Sequence, residues 1–242
     1  MIDLAALHQA LSATDNPALP SLSAQYFALR GVWAVVLATG ALMLLRRRSY
    51  GLQTVVALGL VVCTLLPGNV SPAYWLGLAF VSPSWITLLL CLAWLYQHIC
   101  KPPVAQPEAP MQLAALGMAT CGVMMGWLLL ADMLVWLPFT DSVYAWGFSR
   151  WAVAVATAIA LLPWLVWGTR LVPPDANTLS VLALPAVAVV LFVFTRLPSG
   201  NLWDALLDPW LWLVLQAVWL LRFGRYCFQK LVKAMRGAVS EP

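Results

Sequence analysis

Long apolar runs separated by short polar breaks organise the whole chain. Each run approaches the roughly 20 apolar residues that a membrane-crossing helix needs, and the breaks hold the prolines, glycines and charges that end helices. The first run extends from Phe27 to Leu45 and stops at Arg46-Arg47-Arg48. The second extends from Gly51 into the turn Pro67-Gly68-Asn69. Ala73 to Val81 is apolar but too short to cross. Ser82-Pro83 then reads as an N-cap followed by a first-turn proline and opens a third run that reaches His98. After a Pro-rich polar linker from Lys101 to Pro110, the fourth run covers Met111 to Leu137, the fifth Phe148 to Gly168, and the sixth Leu179 to Thr195 with Pro185 inside it. Asp208-Pro209 opens a seventh, which ends at Phe223 ahead of a basic tail.

This pattern predicts an all-α fold, a polytopic integral membrane bundle of about seven transmembrane helices. Segments 73–81 and 201–207 are predicted as short interfacial helices or re-entrant pieces on its outer side. Three regions follow. Residues 1–24 form an extracytoplasmic N-terminal segment in which Leu4, Leu7 and Leu11 share one helical face and suit an amphipathic helix lying on the membrane. Residues 25–223 form the transmembrane domain, and residues 224–242 a basic cytoplasmic tail.

Composition sharpens the picture. The 242 residues are 63% hydrophobic and 9% charged, against about 25% charged in soluble domains. So few charges cannot cover a water-facing surface, so the remaining apolar surface must meet the lipid bilayer or a membrane-protein partner. The net charge of +4 does not signal nucleic acid, because the basic residues flank apolar runs rather than line a groove. Threading the runs with the N-terminus outside puts ten of the 13 basic residues on one side: Arg46, Arg47, Arg48, Lys101, Arg170, Arg222, Arg225, Lys230, Lys233 and Arg236. Arg30, Arg150 and Arg196 fall on the other. The positive-inside rule then sets the C-terminus in the cytoplasm, with Arg46, Arg47, Arg48, Arg225, Lys230 and Lys233 as inner-leaflet anchors. Of the 14 tryptophans, Trp75, Trp85, Trp146, Trp151, Trp203 and Trp210 sit at the outer ends of runs, where indoles anchor at headgroup level. Preference for Arg over Lys, with heavy use of Ala, Leu and Trp, points to a bacterial inner membrane.

A repeat runs through the outer ends. Ser82-Pro83-Ser84-Trp85, Ser149-Arg150-Trp151 and Asp208-Pro209-Trp210 each combine a capping residue with a Trp just inside a helix. This reads either as three tandem hairpins after a lone first span or as the convergence of caps and belt aromatics on any helix that enters from outside.

The chemistry is sparse. Asp132 lies about six residues from the outer end of the fourth run, where a carboxylate is costly and needs a partner. Arg150, at the start of the antiparallel fifth run, is that partner, either in a structural ion pair or in a proton or cation transport site. His8 and His98 are the only histidines and fall at opposite ends of the bundle, which disfavours a bis-histidine haem, a His-rich metal site and a His-based triad. The five cysteines form no CxxC pair. Lys101, Lys230 and Lys233, the only lysines, lie away from the middle of the seventh run, where a retinal Schiff base would be needed. Phosphate-binding glycine loops and protease signatures are also missing, so neither cofactor nor metal is expected. Gly122 and Gly126 form a Gly-x-x-x-Gly suited to close helix packing.

The leading expectation is a non-catalytic integral membrane subunit or assembly factor of a bacterial inner-membrane complex. One alternative is a small transporter or permease component using Asp132. The other is a membrane enzyme acting on lipid, which would draw on Asp132, Asp141, Asp204 and Asp208.

Overall fold

The structure, a computed structural model, describes residues 19–100, 109–136, 142–168 and 176–239. The proposed amphipathic N-terminal helix, the linker after residue 100, Asp141 and Arg170 lie outside the described residues, as do the side chains of Lys230 and Lys233. Among the described residues every regular element is helical. The chain runs through α1 (Leu22–Leu44), α2 (Tyr50–Leu65), α3 (Pro72–Phe80), α4 (Trp85–Cys100), α5 (Ala109–Met133), α6 (Val143–Trp146), α7 (Arg150–Gly168), α8 (Ala176–Thr195), α9 (Leu202–Leu206) and α10 (Pro209–Val239). The all-α expectation therefore holds. Two helices, α1 and the Ala115–Met133 part of α5, are long and apolar enough to cross a membrane. Four shorter apolar stretches accompany them: Tyr50–Leu65, Trp85–Cys100, Arg150–Leu162 and Val181–Thr195.

After α1 the chain repeats one plan three times: a long helix, a short helix at one end of the bundle, and a long helix back. The hairpins are α2–α3–α4, α5–α6–α7 and α8–α9–α10. Each incoming helix is followed closely by a residue in the left-handed region: Gly68 at φ 75°, Val135 at φ 57° and Arg196 at φ 56°. Each short helix is N-capped by a side-chain oxygen, from Ser71, Ser142 and Asn201 in turn. Each returning helix is capped by Ser84, Ser149 or Asp208, which accepts from the backbone N–H three residues on, at 3.2, 3.2 and 2.8 Å. Such caps satisfy N–H groups that a helix start leaves without partners. In the second and third hairpins the two caps and the following Trp keep the same spacing, Ser142, Ser149, Trp151 against Asn201, Asp208, Trp210.

Packing centres on α8, which contacts α4, α5, α7 and α9. Its Leu182, Ala188, Val189 and Phe192 are buried, and α7 meets it with small residues, Ala152, Ala156 and Ala160, at four-residue spacing. Small residues at this spacing let two helix axes approach closely and make van der Waals contact. The Gly122/Gly126 stripe serves the same purpose within the chain: α10 packs there, Leu215 over Gly122 and the Trp212 indole over Gly126. The 18-residue apolar window of α1 is 44% buried but that of α5 only 11%, so α5 presents most of its apolar surface outward.

Three features differ from or extend the sequence reading. The helix α4 starts at Trp85 and is capped by Ser84, two residues beyond the Ser82 expected as its cap. The helix that follows Asp208 continues unbroken past the apolar run that ends at Phe223, to Val239, so the basic segment after residue 224 is a continuation of α10. Its alternation of basic and apolar residues preserves helical periodicity, so no breaker ends the helix where the composition changes. In addition, α9 is no surface helix: Leu202, Trp203 and Ala205 are buried in the core shared by α7 and α8, whereas α3 does expose Trp75 and Leu78.

Candidate functional site

The end of the bundle that carries α3, α6 and α9 concentrates the polar side chains. Asp208 is the most enclosed acid described there, 5% exposed. Its Oδ1 accepts from the Leu211 N–H and caps α10. Its Oδ2 reaches the start of α4 and accepts from the Ser84 N–H at 2.9 Å, the Ser84 hydroxyl at 2.8 Å and the Thr87 hydroxyl. One carboxylate thus lies between two helix N-termini, whose partial positive charges favour an anion. The first hairpin is thereby tied to the third.

A second network joins the second hairpin to the third. Asp132 Oδ2 accepts from the Ser142 hydroxyl at 2.7 Å and the Tyr144 N–H at 2.9 Å, so it secures the start of α6. The Tyr144 hydroxyl donates to Asp204 at 2.8 Å, and Asp204 also accepts from the Ser199 hydroxyl. Asn201 donates to the Tyr144 carbonyl and accepts from the Trp203 N–H, both at 2.9 Å. Gly147 fits beneath Asn201 and Trp203 so closely that a Cβ would collide with both. Burial, and then the Asp204 carboxylate, push the Tyr144 phenol above its ordinary range.

The expected pairing of Asp132 with Arg150 is replaced by these contacts. Arg150 is exposed, and its guanidinium lies 5.6 Å from the Trp151 ring centroid. The reason is local: Ser142 and Tyr144 follow Asp132 in chain and offer donors at once, whereas Arg150 lies on the far side of α6. Arg30 and Arg196, the other two arginines of this end, are buried. Arg30 donates to the Leu65 and Leu66 carbonyls, which the end of α2 leaves without helical partners, and lies over the Tyr26 ring. Arg196 lies over Phe192.

The tryptophans divide into two groups. Trp75, Trp146, Trp151 and Trp210 are exposed, as surface anchors would be. Trp203 is buried and its indole donates to the Val143 carbonyl at 2.9 Å, while Trp85 is half-buried and donates to the Leu197 carbonyl at 3.0 Å. These two are internal staples, a correction to their reading as lipid anchors. Trp33 does the same for the Val81 carbonyl, at a residue whose φ of 59° is unfavourable for a β-branched side chain. At the opposite end Arg46, Arg47, Arg48 and Arg225 are exposed.

Ser84, Arg30, Tyr144 and Asn201 are the residues that sequence reasoning missed as a site, and Asp208 was read there only as a helix cap and one of four acids on the outer side. The cap at Asp208 was readable locally, whereas Ser84 caps α4 in place of the expected Ser82, and the meeting of Ser84 with Asp208 across 124 positions was not readable at all. Among the described residues no group of His, Cys, Asp or Glu is placed to hold a metal ion. No family model matches the chain, and neither the search of characterised proteins nor that of solved structures returns a match.

Proposed function

We propose that the chain is a seven-span protein of a bacterial inner membrane, with its N-terminus outside and its C-terminus in the cytoplasm, acting as a non-catalytic subunit or assembly factor of a membrane complex. One observation carries the reading. The carboxylates described at the short-helix end, Asp132, Asp204 and Asp208, each accept hydrogen bonds from the chain's own donors. A general acid or base, or a transport carboxylate, needs an oxygen facing its substrate. Asp208, the most enclosed of them, commits both oxygens to the chain's own donors, and Asp132 and Asp204 commit one each, so the acids serve as internal fastenings, while α5 turns Met124, Trp127 and Leu128 outward. A rigid polar cap over apolar helices suits a protein that holds another membrane protein in place. The arginine distribution agrees with the orientation, since two of the three arginines on the proposed outer side are buried and used inside the fold.

Two measurements test this. A reporter active only outside the cytoplasm is expected to be active when fused after Asn69, Asp141 or Gly200 and silent after Glu241; silence at Asp141 overturns the topology. A photo-crosslinking residue at Met124 is expected to trap one polypeptide in stoichiometric yield in native membranes, and adducts with lipid alone overturn the subunit reading.

A further inference from the structure

One side of the bundle is shorter than a bilayer. The helices α2 and α4 have 16 residues each, about 24 Å at about 1.5 Å per residue, against a hydrocarbon core of about 30 Å. Polar chain bounds both. Exposed Arg46, Arg47 and Arg48 precede α2, and the exposed turn Pro67-Gly68-Asn69 follows it. Lys101 follows α4. The helix α1 is longer, at 23 residues, but Arg30 sets a second boundary within it by donating to the Leu65 and Leu66 carbonyls at the end of α2. The rise along the chain from Arg30 to Arg46 is again about 24 Å. By contrast α5, α7 and α8 have 25, 19 and 20 residues, about 29 Å or more. Tilt shortens a helix in projection, so it cannot lengthen α2.

The helix α2 packs on α1 and α3 and turns Leu52, Val55, Leu58, Val62 and Leu65 outward as an exposed apolar stripe. We propose that this stripe is covered by lipid whose hydrocarbon layer is about 6 Å thinner than the surrounding bilayer, so that the protein thins the membrane beside α2 and selects short acyl chains there. The inference rests on the membrane reading above. A span shorter than the hydrocarbon is matched by thinning or by snorkelling of its flanking side chains. The stems of Arg46, Arg47 and Arg48 can snorkel at one end. At the other end Arg30 is buried and tied to carbonyls, so the remaining mismatch falls on the lipid. An annulus of this kind also favours neighbours with equally short apolar spans.

The test uses the full chain in phosphatidylcholine vesicles whose mono-unsaturated acyl chains range from fourteen to twenty-two carbons. Quenching of the protein's tryptophans by brominated lipid, in competition with each chain length, gives relative binding. Fourteen- and sixteen-carbon lipids are expected to bind a few-fold more strongly than eighteen-carbon lipid. Replacing Arg46, Arg47 and Arg48 together by Leu extends the apolar face and is expected to move the preference to longer chains. A wild-type preference that is flat, or that peaks at eighteen carbons or more, overturns the inference. An unmoved preference in the arginine variant overturns its assignment to α2, and if that variant does not fold the wild-type series still decides the thinning. Release of the wild-type chain from vesicles by alkaline wash would instead overturn the membrane reading itself.

Discussion

Replacing Asp208 by Ser separates the two tasks of this carboxylate. Serine can still cap α10, because Ser and Asp are nearly equivalent at an N-cap, and the other two returning helices already use Ser84 and Ser149 in that place. It is too short to replace the second oxygen, which reaches Ser84 and Thr87. The Ser84 N–H is then left without an acceptor in a buried position, at a cost of about 1–3 kcal/mol. The two hydroxyls lose a charged acceptor but recover part of the loss, since they already lie 3.2 Å apart. The net cost of Asp208→Ser is expected to be about 2–4 kcal/mol, and Asp208→Ala should add about 1 kcal/mol for the lost cap. Asp208→Asn should resemble Ser, because its amide turns a donor toward the donors of α4. Ser149→Ala, which removes a cap and no cross-link, should cost only about 1 kcal/mol. Reversible unfolding in mixed micelles, driven by increasing dodecyl sulfate, measures all four. In a double-mutant cycle, Asp208→Ser with Ser84→Ala should show coupling of at least about 0.5 kcal/mol, as contacting groups do. If Asp208→Ser costs no more than Ser149→Ala and shows no coupling, the tie between α4 and α10 contributes nothing and the reasoning fails.

The same unfolding assay reads Arg30. Arg30→Leu deprives the Leu65 and Leu66 carbonyls of their donor and should cost about 2–3 kcal/mol, with Arg30→Lys recovering part of it; a leucine variant as stable as wild type would remove Arg30 as the cap of α2. Tyr144 gives a pH signature. Its phenol is raised in the folded state, so its stabilising effect is complete below about pH 10 and declines as pH climbs through the folded value. Tyr144→Phe should cost about 1 kcal/mol or less at neutral pH, because the ring is only half-buried, and should reduce the alkaline loss of stability. Tyrosinate absorbance checks this, and a Tyr144 that ionises together with the exposed tyrosines would contradict it.

The long helices were legible because their ends are written locally. Arg46-Arg47-Arg48 and Pro67-Gly68 bracket α2, and Asp208 caps α10, while the cap of α4 lies at Ser84, two residues beyond the expected Ser82. The helix α10 outlasts its apolar run for a physical reason. The change at Arg222 is one of polarity, and polarity marks where a helix leaves an apolar environment, not where its hydrogen bonds stop. From Arg225 to Val239 only Gly237 is a poor helix former, so the backbone has no cause to break. The short helices were legible as segments. The depth of α9 was not, because Leu202-Trp203 reads alike whether it faces lipid or Phe192.

The same limit explains the errors at the site. A charge within an apolar run marks Asp132 as a residue needing a partner, and sequence proximity offers Arg150, but a carboxylate takes the nearby donors that offer good geometry. Backbone N–H groups and a hydroxyl at the start of α6 are ten and twelve residues away, and they leave Arg150 free to stack on its own neighbour Trp151. For tryptophan the ambiguity is intrinsic. An indole has one donor and a large apolar face, so it suits a headgroup layer and it equally suits a turn whose carbonyl has lost its helical partner. Each hairpin here makes such turns where the chain reverses at the short-helix end, and Leu197, Val143 and Val81 are carbonyls of that kind. The indoles that answer them come from other hairpins or from α1, which makes Trp85, Trp203 and Trp33 fastenings between units. The exposed Trp75 remains within its own hairpin and donates to Asn69. What separates a staple from an anchor is therefore whether the accepting carbonyl belongs to another unit, a property of the assembled bundle that spacing along one chain does not carry.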